Sequence, residues 1–172
     1  RNKQVFEIIV ILKIIYIILS MIAISGFYNF NKESNNVILI PVMFSAVLIT
    51  MLVYFSWTVV YIEDKIDKPP TGNDYIETTM MLGIFILVMM TTGLENSGYK
   101  LLSIFIVLIG AIQFGKNYSL GIATVSTAII LLIDFIVIGP NRQVLTQYFE
   151  KDLILFSALF VTAFILGMYV DI

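Results

Sequence analysis

The sequence contains no cysteine and no histidine, and only 13% of its 172 residues are charged. These absences exclude disulfide bonds, thiol chemistry, Cys/His metal sites and histidine-ligated haem. The formal charge of −2 is small and the charged residues are scattered, so no basic patch indicates a nucleic-acid partner. We therefore expect no metal, no cofactor and no nucleic acid, and only Asp, Glu, Lys and Arg remain as strong acids and bases.

The chain consists largely of long apolar stretches, and hydrophobic residues make up 59% of it. Most stretches approach the roughly 20 residues that a helix needs to cross a bilayer. The sequence therefore predicts an all-α fold, a polytopic membrane bundle of six transmembrane helices within a single domain over residues 1–172. An alternative is five helices with a re-entrant segment. The predicted helices lie at about 5–25, 37–62, 76–92, 99–115, 118–138 and 152–170.

The orientation of the bundle depends on the first stretch and on the loop charges. The first stretch is too long for a signal-peptide core and lacks a small-residue cleavage site, so we expect a retained helix. The side that holds both termini carries one more Lys or Arg than the other side, which favours cytoplasmic termini. This orientation places the loop "TTGLENSGYK", residues 91–100, on the outer face.

Lys13 lies within the first apolar stretch. A charge at the centre of a membrane helix costs about 2.5–3.5 kcal/mol on insertion scales, so such a residue is a candidate for function. Tyr16 and Ser20 lie on the same helical face as Lys13, which predicts a narrow polar stripe turned toward protein. The alternative is that the Lys13 amine extends into the lipid headgroups.

Asp134 lies in the fifth stretch, on the face that carries the small residues Ser119, Ala123 and Thr127. Four-residue spacing of small residues is typical of closely packed membrane helices, so we expect Asp134 in the packed interior. A hydrogen bond with a purely structural role is the alternative. Because opposite charges within one bundle cost less together than apart, we also predict that Lys13 and Asp134 are coupled, directly or through a water molecule.

The predicted topology gathers several polar residues on the outer side, where they are candidates for binding a small polar ligand. They are Glu95, Asn96 and Tyr99 of the loop, Asp134 near the outer end of its helix, and Arg142 after it. The alternative is that these loop residues are polar because water covers them. No spacing of paired acids, metal ligands, or nucleophile and base indicates an enzyme, so we expect no catalytic residue in this chain.

The second half of the chain resembles the membrane-embedded sensory regions of bacterial sensor histidine kinases and diguanylate cyclases. The segments "GLENSGYK", "IQFGKNYSLGIATVSTAIILLIDF" and "YFEKDLILFSALFVTAFILGMYVDI" carry the resemblance. It implies that Glu95 and Asn96 mark an outer loop, Gln113 the end of the fourth helix, and Asp134 the acidic position of the fifth.

The resemblance also implies a function in the bacterial cytoplasmic membrane. Such a domain detects a small ligand or a membrane signal and passes it through the last helix to a cytoplasmic kinase or cyclase module. It contacts membrane lipids and forms a homodimer in the full-length protein. Ala163 and Gly167 give the last helix a smooth surface that suits sliding or rotation. The alternative is a small transport subunit similar to the substrate-binding component of an energy-coupling-factor transporter.

Overall fold

The computed structural model describes residues 2–31, 45–46, 49–50, 53–54, 69–92 and 97–171. The regular structure within these ranges is helical, and no strand occurs in them. The helices are α1 (Asn2–Asn31), α2 (Gly72–Thr91), a 3-10 turn (Gly98–Leu101), α3 (Leu102–Phe114), α4 (Lys116–Ile138) and α5 (Arg142–Asp171).

Four of the helices are long and apolar enough to cross a membrane. These candidate spans are Lys3–Gly26, Gly72–Thr91, Lys116–Ile138 and Arg142–Val170, and the 3-10 turn with α3 forms a shorter apolar helix over Gly98–Phe114. The predicted all-α fold is therefore confirmed for the described residues, and the four candidate spans are compatible with a membrane bundle. The count of six helices stays a prediction, because most of the predicted stretch 37–62 lies outside the described residues.

Local sequence explains where these helices begin and end. The Asp74 carboxylate accepts hydrogen bonds from the Thr71 N–H and the Thr71 hydroxyl, each at 2.7 Å, which caps the first turn of α2. Gly115 between α3 and α4 has a φ of 83°, and Gly139 after α4 has a φ of 68°. Both values lie in the left-handed region that favours glycine, so the chain reverses or leaves the helix there at little cost.

Helices α4 and α5 pack antiparallel over their small residues. The Ser119 hydroxyl donates to the Ala163 carbonyl at 3.1 Å, which joins the first turns of α4 to the last turns of α5. A Cβ atom built on Gly167 would lie 2.4 Å from the Cα atom of Lys116, so only glycine allows this approach. Ser119, Ala123 and Ala163 are each 0% exposed, which confirms the predicted close packing.

Helices α1 and α2 run parallel, because their contacts advance together along both segments. Lys13 contacts Glu77, and the Tyr16 hydroxyl donates to the Met81 carbonyl at 2.7 Å. The Tyr118 and Thr78 hydroxyls are 2.6 Å apart, so α2 and α4 begin at the same end of the bundle. We call this the Gly115 end, and the opposite end, where α4 ends and α5 begins, the Lys100 end.

Candidate functional site

Three charged residues from three segments meet in the interior at the Lys100 end. The Lys100 amine donates to the Asp134 carboxylate of α4, with Nζ at 3.1 Å from Oδ1 and 3.4 Å from Oδ2. It also donates to Oδ2 of Asp152 in α5. Lys100 and Asp134 are each 4% exposed and Asp152 is 5% exposed. These residues, the Lys100 cluster, tie the 3-10 turn to α4 and α5.

The 3-10 turn holds Lys100 at this position through hydrogen bonds on both sides. The Thr92 and Ser97 hydroxyls are 2.5 Å apart, which links the start of the turn to the residue that follows α2. The Lys100 N–H donates to the Ser97 carbonyl at 3.3 Å, and the Ser103 hydroxyl donates to the Lys100 carbonyl at 2.7 Å. These hydrogen bonds restrict the backbone at Lys100 and so hold its amine between α4 and α5.

The charges of the Lys100 cluster do not balance. One ammonium faces two carboxylates, so the cluster carries a net charge of −1 when all three groups are ionised. Removing an ion from water costs several kcal/mol, and pairing offsets that cost only when geometry and charge both match. Within the described part of the chain, these two carboxylates contact no second cationic side chain. One further positive charge, from a proton or from a cationic ligand, would bring the cluster to neutrality.

An apolar cleft of about 770 Å³ lies beside the Lys100 cluster, between the end of α4 and the start of α5. Asp134 lines it, together with apolar residues of both helices, among them Leu132, Phe135 and Phe149. These three side chains are 58%, 62% and 46% exposed, so the cleft opens on the surface that a membrane-embedded bundle turns toward lipid. Asp134 thus belongs to the Lys100 cluster and also lines the cleft.

A second buried ion pair lies toward the Gly115 end. The Lys13 amine contacts the Glu77 carboxylate, and the Tyr54 hydroxyl is 3.5 Å from Glu77 Oε1. Tyr16 and Ser20, on the same face of α1, are both 0% exposed, which confirms the predicted polar stripe. Lys13 itself is 1% exposed, so its amine lies within the protein rather than in the headgroups.

Gln113, the residue that the resemblance places at the end of the fourth helix, lies near this second pair. It is 8% exposed and lines a void of about 10 Å³ together with Glu77 and Thr78. A void of that size holds at most about one water molecule, so it is a packing gap between polar side chains rather than a ligand cavity.

The prediction that Lys13 and Asp134 are coupled is wrong. Lys13 pairs with Glu77 and Asp134 pairs with Lys100, at different ends of the bundle. Tyr118 of α4 contacts Thr78, the neighbour of Glu77. Asp134 lies sixteen residues further along α4, which at 1.5 Å per residue is about 24 Å. Neither a direct contact nor a single water molecule spans that distance.

The other predicted ligand residues are not all gathered around Asp134. Arg142 is exposed at the start of α5 and makes no contact with the Lys100 cluster, so the structure does not bring it to Asp134. Tyr99 is half-buried and packs against the core. Glu95 and Asn96 lie outside the described residues, so their part in a ligand site stays a prediction.

The sequence reasoning missed Glu77, Lys100 and Asp152. Each lies within two residues of the start of a predicted apolar stretch, where a charged residue is ordinarily assigned to water or headgroups. A signal was nevertheless present. Lys13 and Asp134 each require an opposite charge inside the bundle, and charged residues at the edges of other apolar stretches, such as Glu77 and Lys100, are candidates to supply it.

No protein-family model, no curated protein and no solved structure matches this chain. The resemblance to sensory regions of kinases and cyclases therefore depends on the polar landmarks in the sequence.

Proposed function

We propose that this chain is a membrane-embedded sensory domain in which the Lys100 cluster responds to a membrane-soluble signal and sets the position of α5. In this proposal the domain lies in the bacterial cytoplasmic membrane with cytoplasmic termini. Through α5 it signals to a kinase or cyclase module, as a homodimer in the full-length protein. The observation that supports it best is the buried, charge-imbalanced Lys100 cluster, which joins three segments through one amine.

The cluster offers a way to convert charge into movement. Adding one positive charge beside Asp134 would compete with Lys100 for that carboxylate and leave Lys100 bound more strongly to Asp152 of α5. The balance between the α4 side and the α5 side of the cluster would then change. Because a preference of about 1.4 kcal/mol for one arrangement changes the ratio of two populations tenfold, a modest signal suffices.

Helix α5 is suited to carry that change across the membrane. It is continuous over 30 residues from Arg142 to Asp171. Asp152 and Gly167 are fifteen residues apart, which in a helix is about 22 Å. Gly167 packs directly on the backbone of Lys116, so the surface of α5 has no side chain projecting toward α4 at this point. A rotation or shift of α5 at the Lys100 end is therefore transmitted to the Gly115 end.

The test is a distance measurement in lipid nanodiscs by double electron–electron resonance. Because the native chain has no cysteine, spin labels can be placed at Gln4→Cys and Met168→Cys, both exposed positions. We expect Asp152→Asn to shift the distance distribution. Glu150→Gln is the matched control, because it removes an exposed carboxylate from the same helix two residues away.

Asp134→Asn perturbs the cluster from the α4 side and serves as a second variant if Asp152→Asn does not fold. Gel filtration and helical circular dichroism establish that each variant is folded before its distances are compared. A folded variant of either kind whose distribution equals that of the parent would overturn the proposal that the Lys100 cluster controls α5.

A further inference from the structure

The shape and chemistry of the cleft at the Lys100 end restrict what it can bind. Its volume of about 770 Å³ lies within the roughly 300–1,000 Å³ of small-molecule sites, and its lining is mainly apolar. Leu131, Leu132 and Phe135 come from α4, and Leu145 and Phe149 come from α5. A chain-like or ring-like hydrocarbon therefore matches most of this surface.

The cleft lining has fewer polar groups than apolar ones, and these polar groups differ in whether they are free to bond a ligand. The Thr146 hydroxyl donates to the Arg142 carbonyl of its own helix at 2.8 Å. Asp134 is the charged residue among the described residues that line the cleft, and its carboxylate belongs to a cluster with a net charge of −1 when ionised. An occupant with a positive head group beside Asp134 would bring the cluster to neutrality.

The route into the cleft leads through the membrane. The lining residues Leu132, Phe135 and Phe149 are exposed on the apolar flank of the bundle, whereas Lys100 and Asp152 lie behind Asp134 in the interior. A molecule dissolved among the lipid chains reaches Asp134 sideways without crossing a polar loop. A strictly water-soluble cation would have no comparable apolar contacts to stabilise it in the cleft.

We propose that the cleft between α4 and α5 is a binding site for lipophilic amines, with the hydrocarbon packed on Leu132, Phe135 and Phe149 and the ammonium group bonded to Asp134. This inference rests on the proposed sensory function in one respect, since it names the chemical class of the signal. The binding site itself is a separate claim and is tested by binding, independently of any movement of α5.

The experiment uses the whole chain in nanodiscs of zwitterionic phosphatidylcholine, so that no anionic lipid attracts the amine. The probe is an alkylamine with a photoactivatable diazirine in its chain, and labelled residues are mapped by mass spectrometry. We expect labels on the cleft-lining turns of α4 and α5. Dodecylamine should compete at a concentration at least about tenfold lower than dodecanol, because a charge-assisted hydrogen bond distinguishes the two.

Two variants test the two parts of the site. Asp134→Asn should abolish the preference for the amine over the alcohol while leaving the cleft open. Leu132→Trp should fill the cleft and reduce labelling by both probes without altering a charge, which keeps the test valid if Asp134→Asn does not fold. Ile154→Trp, on a lipid-exposed position of α5 that does not line the cleft, is the matched control and should label as the parent does.

Equal competition by dodecylamine and dodecanol, or labels spread evenly over the lipid-facing helices, would overturn the amine site. If that occurs while Asp152→Asn still moves the spin labels, the class of ligand is wrong and the sensory proposal is unaffected. Amine-selective labelling without any movement of α5 would establish the site and refute its coupling to that helix.

Discussion

The contact between Lys13 and Glu77 predicts a specific pattern of stability in a double-mutant cycle. Both side chains are buried, with 1% and 7% of the side-chain surface exposed. Removing one member of a buried pair leaves the other charge uncompensated and typically costs about 3–5 kcal/mol. We therefore expect Lys13→Met and Glu77→Gln each to lower stability by that amount. The double variant should be more stable than the sum of the two losses predicts.

The coupling energy is the difference between the loss of stability in the double variant and the sum of the two single losses. It should lie toward the upper part of the roughly 0.5–3 kcal/mol seen for residues in contact. The assay is thermal unfolding in nanodiscs, where about 1 kcal/mol corresponds to about 2–4 °C for a chain of this size. The cycle that combines Lys13→Met with Asp134→Asn is the control. Because these residues are in separate clusters, their losses should add within about 0.3–0.5 kcal/mol. Additive losses for Lys13 and Glu77, or strong coupling between Lys13 and Asp134, would refute the pairing described here.

Three further predictions concern other parts of the bundle. Lys100→Met should lower the stability measured by thermal unfolding by about 3–5 kcal/mol, because it leaves two buried carboxylates without their cation. The exposed control Lys151→Met should change stability by no more than about 0.5 kcal/mol. Equal effects of the two substitutions would contradict the cluster. Gly167→Ala should lower stability by about 1–3 kcal/mol, since its Cβ would collide with the backbone of α4, whereas Gly121→Ala, which meets nothing within 4 Å, should be neutral or stabilising. Gln143→Cys should react with a membrane-impermeant maleimide in intact cells, and reaction only after permeabilisation would place the Lys100 end on the cytoplasmic side.

Local periodicity was sufficient to predict which helical faces are buried. The stripe of Lys13, Tyr16 and Ser20 and the face that carries Ser119 and Asp134 follow from 100° of rotation per residue, which does not depend on tertiary structure. The buried states of these residues agree with that prediction. The membrane-helical fold class likewise follows from the length of the apolar runs alone.

The partners of the buried charges could not be predicted in the same way. Lys13 and Glu77 are 64 residues apart, and the pairing depends on which helices are neighbours and at what depth they meet. One helix turn of axial displacement is enough to exchange partners. Lys100 and Asp152 lie at the starts of apolar stretches, where the sequence alone does not distinguish an inward-turned charge from one in water or headgroups. The predicted topology places Arg142 on the same side as Asp134, but being on the same side does not bring two side chains together, and the Arg142 side chain is exposed.

The separation of the paired charges along the chain has a consequence for how the protein is made. Glu77 is synthesised 64 residues after Lys13, which at about 5–20 residues per second is a delay of about 3–13 s. During that interval α1 holds an ammonium group without this carboxylate. The mean hydropathy of 2.7 over its span favours insertion and offsets the cost of that charge.

The Lys100 cluster repeats this order of synthesis. Asp134 follows Lys100 by 34 residues and Asp152 follows it by 52 residues. In both clusters the cation thus precedes its carboxylates: α2 and α4 each bring a carboxylate to an ammonium group already in the nascent bundle, and α5 then adds the excess negative charge. We therefore expect α2 and α4 to dock against the earlier helices through an electrostatic attraction, which is stronger in the low dielectric of the membrane than in water. The order in which the helices are synthesised would then also be the order in which they assemble.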